Sequence, residues 1–422
     1  MADLPPNVPI ERRRKRRMPA TEVLKYIGPG FLVTVGFIDP GNWAANMAAG
    51  SHYGYALLWM VTLGTAALIL LQHNAAHLGI VTGLCLSEAS ATYFKPWASR
   101  TLIVTAVLAS ISTALAEVLG TAIGLNMLCG LPLPIGATLA AGVAAAMLLT
   151  HTYRRLEQWI LGFVSLVGIA FLVELSYVHL DWGRAASSWV TPNIPEGSVP
   201  IILSVLGAVV MPHNIYLHSE IIQSRRWHLH GEEVIDAKLK YEFIDTLAAM
   251  LVGWAINSAM ILVAAAVFFK HGVIVTELPQ AHDALQPLLG DAAATVFALA
   301  LVFAGYASSM TAGMAGASML AGMSKKPMDL SEPRSRVGAL ITLLVPLPII
   351  FILQDPFRGL LWSQVALSLQ LPFTILPLVL LTSSKKVMGR FANVGWVKLL
   401  LWAVAFAVLA LNLMLLVQVF LE

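Results

Sequence analysis

Gly36-Phe37-Ile38-Asp39-Pro40-Gly41-Asn42 puts an acid, a proline and an amide in the middle of an apolar run that extends from about residue 24 to about 49. Farther along, Gly207-Ala208-Val209-Val210-Met211-Pro212-His213-Asn214 interrupts the run at about 199–223 in the same way. A proline removes a backbone donor and crowds the preceding turn, so both stretches are expected to unwind. Unwound backbone inside a bilayer is tolerated only where it is buried in protein or lines a wet cavity, because each orphaned carbonyl or amide costs several kcal/mol. One such break alone reads as a kink in a packed helix; two of them facing each other read as a site.

The two runs belong to a set of eleven, at about 24–49, 53–79, 101–127, 134–151, 158–178, 199–223, 241–269, 292–323, 337–354, 360–382 and 396–420. Each has the length of roughly 20 mostly apolar residues that spans a bilayer. The 422 residues are 58% hydrophobic and 12% charged, with a mean hydropathy of +0.77, too little charge to coat a soluble domain of this size. Spans of this length satisfy their own backbone as helices, whereas barrel strands are shorter and alternate. The expected class is an all-α integral membrane protein with one transmembrane domain, 24–422, behind a basic tail at 1–23.

Orientation follows the cations. With the N-terminus in the cytoplasm, 23 of the 26 Lys and Arg fall inside, and Arg184, Lys270 and Arg358 are left outside. That asymmetry is the positive-inside bias, and an odd number of spans then puts the C-terminus on the extracytoplasmic side of the cell (inner) membrane. The run Glu11 to Arg17, ERRRKRR, sits just before the first span, where it suits an anionic cytoplasmic leaflet and not a nucleic acid. Cys85 and Cys129 come out on opposite faces and are expected to stay unpaired.

The breaks lie in the first and sixth spans. An offset of five means that the second unit starts from the opposite side of the membrane, the arithmetic of an inverted repeat: about 24–178 against about 199–382, with a binding site between the two broken helices and an extra helix at about 396–420. Asp39 offers a formal charge there, Asn42 a neutral oxygen, and the unwound stretch near Ala208 a backbone carbonyl. Met211 offers a thioether, a soft ligand that contributes little to Mg²⁺ or Ca²⁺ but favours softer transition metals. Taken alone, Met211 is a common gap-filler; beside Pro212 and opposite Asp39, the ligand reading leads. A charged Asp39 at mid-membrane needs a cation, a proton or a buried base, and no Lys or Arg lies at matching depth. A substrate cation meets that need.

DPGN at Asp39 to Asn42 and MPH at Met211 to His213 resemble the signatures of the Nramp (natural resistance-associated macrophage protein) family of divalent metal transporters, and the chain is similar to its bacterial members. The resemblance continues through LGIVTG at Leu78 to Gly83, LAEVLGTAIGLN at Leu115 to Asn126, MPHNIYLHS at Met211 to Ser219 and SQVALSLQLPF at Ser363 to Phe373. It implies the five-plus-five repeat fold of the sodium-coupled amino-acid transporters, and uptake of Mn²⁺ or Fe²⁺, and also Cd²⁺, together with protons. It also implies that Asp39, Asn42, the Ala208 carbonyl and Met211 bind the metal, that Gln364 joins in some conformations, and that His213 and Glu117 serve proton movement and gating. A structural role for His213 stays open.

Where the family usually has an aspartate, three residues before Glu117, this chain has Ala114, which leaves a weakly coupled transporter or an uncoupled facilitator as alternatives. A related Mg²⁺ transporter would be expected to lack Met211, and an amino-acid symporter would have its substrate carboxylate repelled by Asp39. With one acid and no His-rich cluster beside it, the site lacks what a metalloenzyme needs; no enzyme activity, resident cofactor, nucleic acid or obligate protein partner is expected, only the metal ion, protons and the bilayer. Ser110, Thr113, Glu117, Thr121 and Gly124 form one polar or small stripe that should face the interior. Ala304, Ser308, Ala312 and Gly316 read as close helix packing. His73 and His77, one turn apart, have a metal-ligand spacing but lie near the inner surface, where an exposed or capping role is expected. Glu220 falls near the inner end of the sixth span, to line an exit or to meet Arg225 or Arg226.

Overall fold

The computed structural model describes residues 38–150, 178–229, 231–280 and 291–421, with isolated positions between 158 and 176. The basic tail, the first half of span one with Gly36 and Phe37, and nearly all of the fifth run lie outside the described residues. Within them no strand occurs, and nine helices are long and apolar enough to cross a bilayer. They coincide with the other nine runs.

The first described helix, α1 (Pro40–Tyr53), begins directly after Asp39. Asp is a strong N-cap and proline is pre-organised for the first helical position, so the two residues start a helix together. Next come α2 (Leu58–Thr82), the short α3 (Leu86–Tyr93), the long α4 (Pro96–Cys129) and α5 (Leu133–Thr150). Gly83 and Gly130, both left-handed, end α2 and α4, a conformation glycine adopts without a Cβ penalty. Outside the bilayer run, α6 (Trp182–Val190) is opened by Asp181, whose carboxylate accepts from the Arg184 amide at 3.0 Å.

The sixth run divides into α7 (Val199–Val209) and α8 (Pro212–Ser224), with Val210 and Met211 out of helical conformation. The chain continues through α9 (Glu232–Val267), α10 (Asp291–Gly322), α11 (Pro333–Leu344), α12 (Pro346–Ile352), α13 (Pro356–Thr382) and α14 (Gly395–Leu421). Three boundaries differ from the hydropathy reading. α9 starts nine residues before 241, because its first turns stand outside the apolar layer, where Glu232 and Asp236 both pair with Arg390 at 3.0 Å. The ninth run is split at Val345, ahead of Pro346. α3 occupies what reads as a loop; its start is held by a reciprocal cap in which the Cys85 amide donates to Glu88 at 3.2 Å.

α1 is enclosed by α4, α7, α9 and α13, and twelve of its residues are buried. The small-residue positions make this possible. A Cβ on Gly120 of α4 would strike the ring of Pro40, and one on Gly207 of α7 would strike the Gln364 carbonyl of α13. The stripe on α4 faces inward as expected. Ser110 donates to the Ala312 carbonyl at 2.9 Å, and Gly124 packs on Ala298 and Val302 of α10. On α10 itself, Gly316 lies against Gly338 and Thr342 of α11.

Candidate cation site

Asp39 does two jobs at the start of α1. One carboxylate oxygen accepts from the Asn42 amide N–H at 2.6 Å, capping the helix, and the other accepts from the Asn42 side-chain nitrogen at 3.0 Å. That same nitrogen donates to the Ala208 carbonyl at 2.9 Å. Pro212 is the reason this carbonyl is free to accept, since the residue four places on has no N–H to return to it. The amide of Asn42 therefore ties the start of α1 to the break between α7 and α8.

Met211 lies three residues past Ala208 in the same break and is 1% exposed. Its side chain packs with Ala109 and Leu367, and its sulfur accepts weakly from the Asn214 side chain at 3.5 Å. Gln364, fully buried, reaches the same place from α13: a Cβ on Gly41 would collide with its amide and approach Asp39 to 3.0 Å. Its Oε1 has no hydrogen-bond donor among the described residues. Asp39, Asn42 and Ala208 are 0% exposed; these three of the five anticipated ligand positions are joined by hydrogen bonds, Gln364 is pressed against Gly41 beside them, and Met211 follows Ala208 in the break between α7 and α8.

The two remaining anticipated residues flank this centre. His213, in the first turn of α8, meets Thr113 at 3.0 Å through Nδ1, which ties α8 to the α4 stripe. Glu117, one turn before the Gly120–Pro40 contact, is fully buried and faces Ser308 of α10. The contact of Gly120 with Pro40 brings Glu117 into the neighbourhood of Asp39. Asn214 is a further polar residue at this place, and its position three residues after Met211, the residue that precedes α8, is the signal that brings its side chain back to the sulfur.

His77 corrects the expectation of an exposed or capping role, and His73, whose side chain is 27% exposed, turns to a buried partner. His77 is 8% exposed, and His73 Nδ1 lies 2.6 Å from the buried Glu242 of α9. Their rings stack at 6.1 Å between centroids. Glu242 also receives Thr246 at 2.5 Å, and His218 pairs with Gln72 at 2.8 Å beside it. This is an internal polar seam between α2, α8 and α9. Among the described residues no three His, Cys, Asp or Glu side chains are grouped to hold a metal ion. Both cysteines are free, Cys85 buried and Cys129 exposed. Glu220 is bonded to Ser318 and to the Met328 amide, not to the basic residues that follow it.

A bundle of apolar spans in which the buried start of α1 is joined through Asn42 to the freed backbone of an interrupted helix, α7–α8, defines a multi-pass membrane transporter of the broken-helix type. Comparison with known proteins gives the family. Residues 30–418 match the family described as natural resistance-associated macrophage protein-like, and the chain belongs to that Nramp family. It is 39% identical to the divalent metal cation transporter MntH of Nostoc sp. (strain PCC 7120), over 98% of this chain and 96% of the relative. It is 38% identical to the protein of the same name from Caldanaerobacter subterraneus subsp. tengcongensis, over 92% of each.

Among solved structures it is similar to the Eremococcus coleocola manganese transporter, with a TM-score of 0.82 and 27% identity, over 93% of this chain and 86% of that one. It also matches Mhp1, a nucleobase-cation-symport-1 family transporter, with a TM-score of 0.63 over 92% and 88% of the two chains. At 17% identity the latter speaks for the fold alone.

Proposed function

We propose that the protein takes up divalent transition-metal ions, Mn²⁺ or Fe²⁺ and also Cd²⁺, across the cell (inner) membrane by alternating access, with the N-terminus in the cytoplasm and the C-terminus outside. The observation that carries this reading is the bridge made by Asn42. An electropositive N–H group sits between a carboxylate and a freed carbonyl, all of it buried, and those acceptors are what a dehydrated cation would use. Turning the Asn42 amide would present its oxygen in place of its nitrogen, adding a third oxygen to those of Asp39 and Ala208. Met211 supplies the sulfur, and the orphaned Gln364 Oε1 is a further oxygen within the same junction. The relatives named for divalent metal and manganese support this choice of ion.

Each part has a distinct physical task. The Asp39 charge offsets the loss of the ion's water shell, the neutral oxygens complete it, and the thioether favours softer ions over Mg²⁺ and Ca²⁺. An inside-negative potential adds about 2.3 kcal/mol per elementary charge per 100 mV to inward movement of the cation. Glu117 and His213 are the groups of this chain placed to exchange protons beside the metal. Ala114 favours a second reading, in which the same site runs as a facilitator without proton coupling. In proteoliposomes carrying an internal pH dye, Mn²⁺ uptake should be competed by Cd²⁺ and absent in Asp39→Ala. Internal acidification that follows uptake establishes the symporter, and a flat dye signal the facilitator. Uptake by Asp39→Ala at the native rate would refute the site.

A further inference from the structure

At the end of α8 away from the break, one turn carries a concentration of contacts to other parts of the chain. Glu220 is 3% exposed. One of its carboxylate oxygens accepts from the Ser318 hydroxyl of α10 at 2.7 Å, the other from the Met328 backbone N–H in the segment after α10 at 2.9 Å. Next to it the Ser219 hydroxyl accepts from the Leu86 amide at the start of α3 at 2.9 Å. One turn on, Gln223 donates to Glu88. The Ser87 hydroxyl closes the ring by donating to the Ser318 carbonyl at 3.3 Å. Every residue from Pro212 to Ile222 is buried.

These contacts join two bodies that the break makes separable. α8 is not helically continuous with α7, so it is able to turn about Val210 and Met211 as a unit. Its far end is held to α3, α10 and the segment beyond, none of which depends on the break. On the orientation proposed above, that end faces the cytoplasm, and moving it uncovers a path from the site to the inside. We infer that Glu220 is the latch of this inner gate, a positioning residue that holds α8 shut through two bonds to the far side and releases it when cargo leaves. Glu220 suits the task because a buried carboxylate needs every acceptor satisfied or its charge met some other way. Its two bonds are therefore made together in the closed state and lost together on opening. The inference rests on the transporter reading but does not depend on which ion is carried.

The molecule contains its own reporter. Cys85 is 0% exposed, its sulfur 3.1 Å from the Ser87 hydroxyl and beside Glu220, inside the junction that would part. With Cys129→Ser, it is the one thiol of the chain, since the sequence has 2 Cys. Full-length protein in proteoliposomes would be treated with a membrane-permeant maleimide and the labelling of Cys85 timed.

Glu220→Ala should raise the labelling rate about tenfold or more at an unchanged melting temperature, and Glu220→Gln, which keeps one acceptor, by less. In the native chain Mn²⁺ should change the rate, and in Glu220→Ala labelling should be fast with and without it, a difference that mere loosening of the fold would not produce. Equal rates in native and Glu220→Ala protein overturn the latch. Should Glu220→Ala fail to fold, Ser318→Ala takes its place, and an unchanged rate there overturns it equally. A native rate indifferent to Mn²⁺, with faster labelling in the variant, is what loosening alone produces and overturns the latch; the metal reading is tested separately, by the uptake assay above.

Discussion

Two prolines in this chain commit the same local offence and are answered differently. Pro212 deprives the Ala208 carbonyl of its helical donor and Pro372, inside α13, deprives the Ser368 carbonyl in the same way. In each case an asparagine from a distant helix steps in: Asn42 donates to Ala208 at 2.9 Å and Asn412, of α14, donates to Ser368 at 2.9 Å. Around Pro372 the helix stays continuous, whereas ahead of Pro212 two residues leave it. Proline alone thus does not make a break in this bundle, and the identity of the rescuing group does not either.

The neighbours of the rescuer make the difference. Among the described residues Asn412 is paired only with Ser368, whose hydroxyl returns a bond to it at 3.3 Å, so that patch is closed on itself. Asn42 is shared with a carboxylate, and Gln364 stands against the neighbouring Gly41. A closed patch is structural, while a shared one has acceptors that a cation is able to take over. The comparison also gives the extra helix α14 a use, because it supplies the donor that lets α13 carry a proline at depth.

The largest expected effect separates the two asparagines. Asn42→Ala and Asn412→Ala each leave a buried carbonyl without its donor, a lesion of about 1–3 kcal/mol that should lower both melting temperatures by similar amounts. Mn²⁺ uptake should fall more than about tenfold in Asn42→Ala, the range seen when a metal site loses a supporting group. It should stay near the native rate in Asn412→Ala. Similar uptake losses in the two variants would show that the distinction between closed and shared patches is false.

A smaller effect comes from the prolines themselves. Alanine at either position restores an N–H that competes for the freed carbonyl. In Pro372→Ala that bond merely duplicates Asn412, so uptake should hold and the melting temperature should be level or raised, given that proline in a helix interior costs about 3 kcal/mol relative to alanine. In Pro212→Ala the new N–H draws Ala208 away from Asn42, and uptake measured in the same vesicles should fall several-fold. A Pro212→Ala variant that transports normally would mean that Ala208 is not part of the site.

Much of this was readable from the chain. The break between α7 and α8, the start of α1 at Asp39 and Pro40, the inward stripe on α4 and the close packing of α10 follow from residue type and helical spacing, because membrane helices bury polar and small residues against one another. Other features were not. Hydropathy sees only the apolar layer, so it missed the charged start of α9 and the amphipathic α3, whose cap depends on Cys85 and Glu88. It also placed His73 and His77 at a surface, since nothing local shows that Glu242, some 170 residues later, comes to meet them. The roles of Asn412 and Glu220 were equally hidden. Each depends on a partner in another helix, and pairings of that kind are set by the fold as a whole.

The finest distinction lies within the shared patch, between oxygen and sulfur. Replacing Met211 by alanine removes the thioether but also empties a buried position, which costs about 2–5 kcal/mol by itself. Met211→Leu keeps the volume at a cost under about 1.5 kcal/mol, so the pair separates chemistry from packing. Both variants should still take up Mn²⁺, because Asp39, Asn42 and the Ala208 carbonyl remain, and only Met211→Ala should melt markedly lower. In both, Ca²⁺ and Mg²⁺ should become effective competitors of Mn²⁺, and competition by Cd²⁺ should weaken. If Met211→Leu rejects Ca²⁺ as well as the native protein does, the Met211 side chain, already packed with Ala109 and Leu367, belongs to the core and the ion preference must come from the geometry of the oxygens.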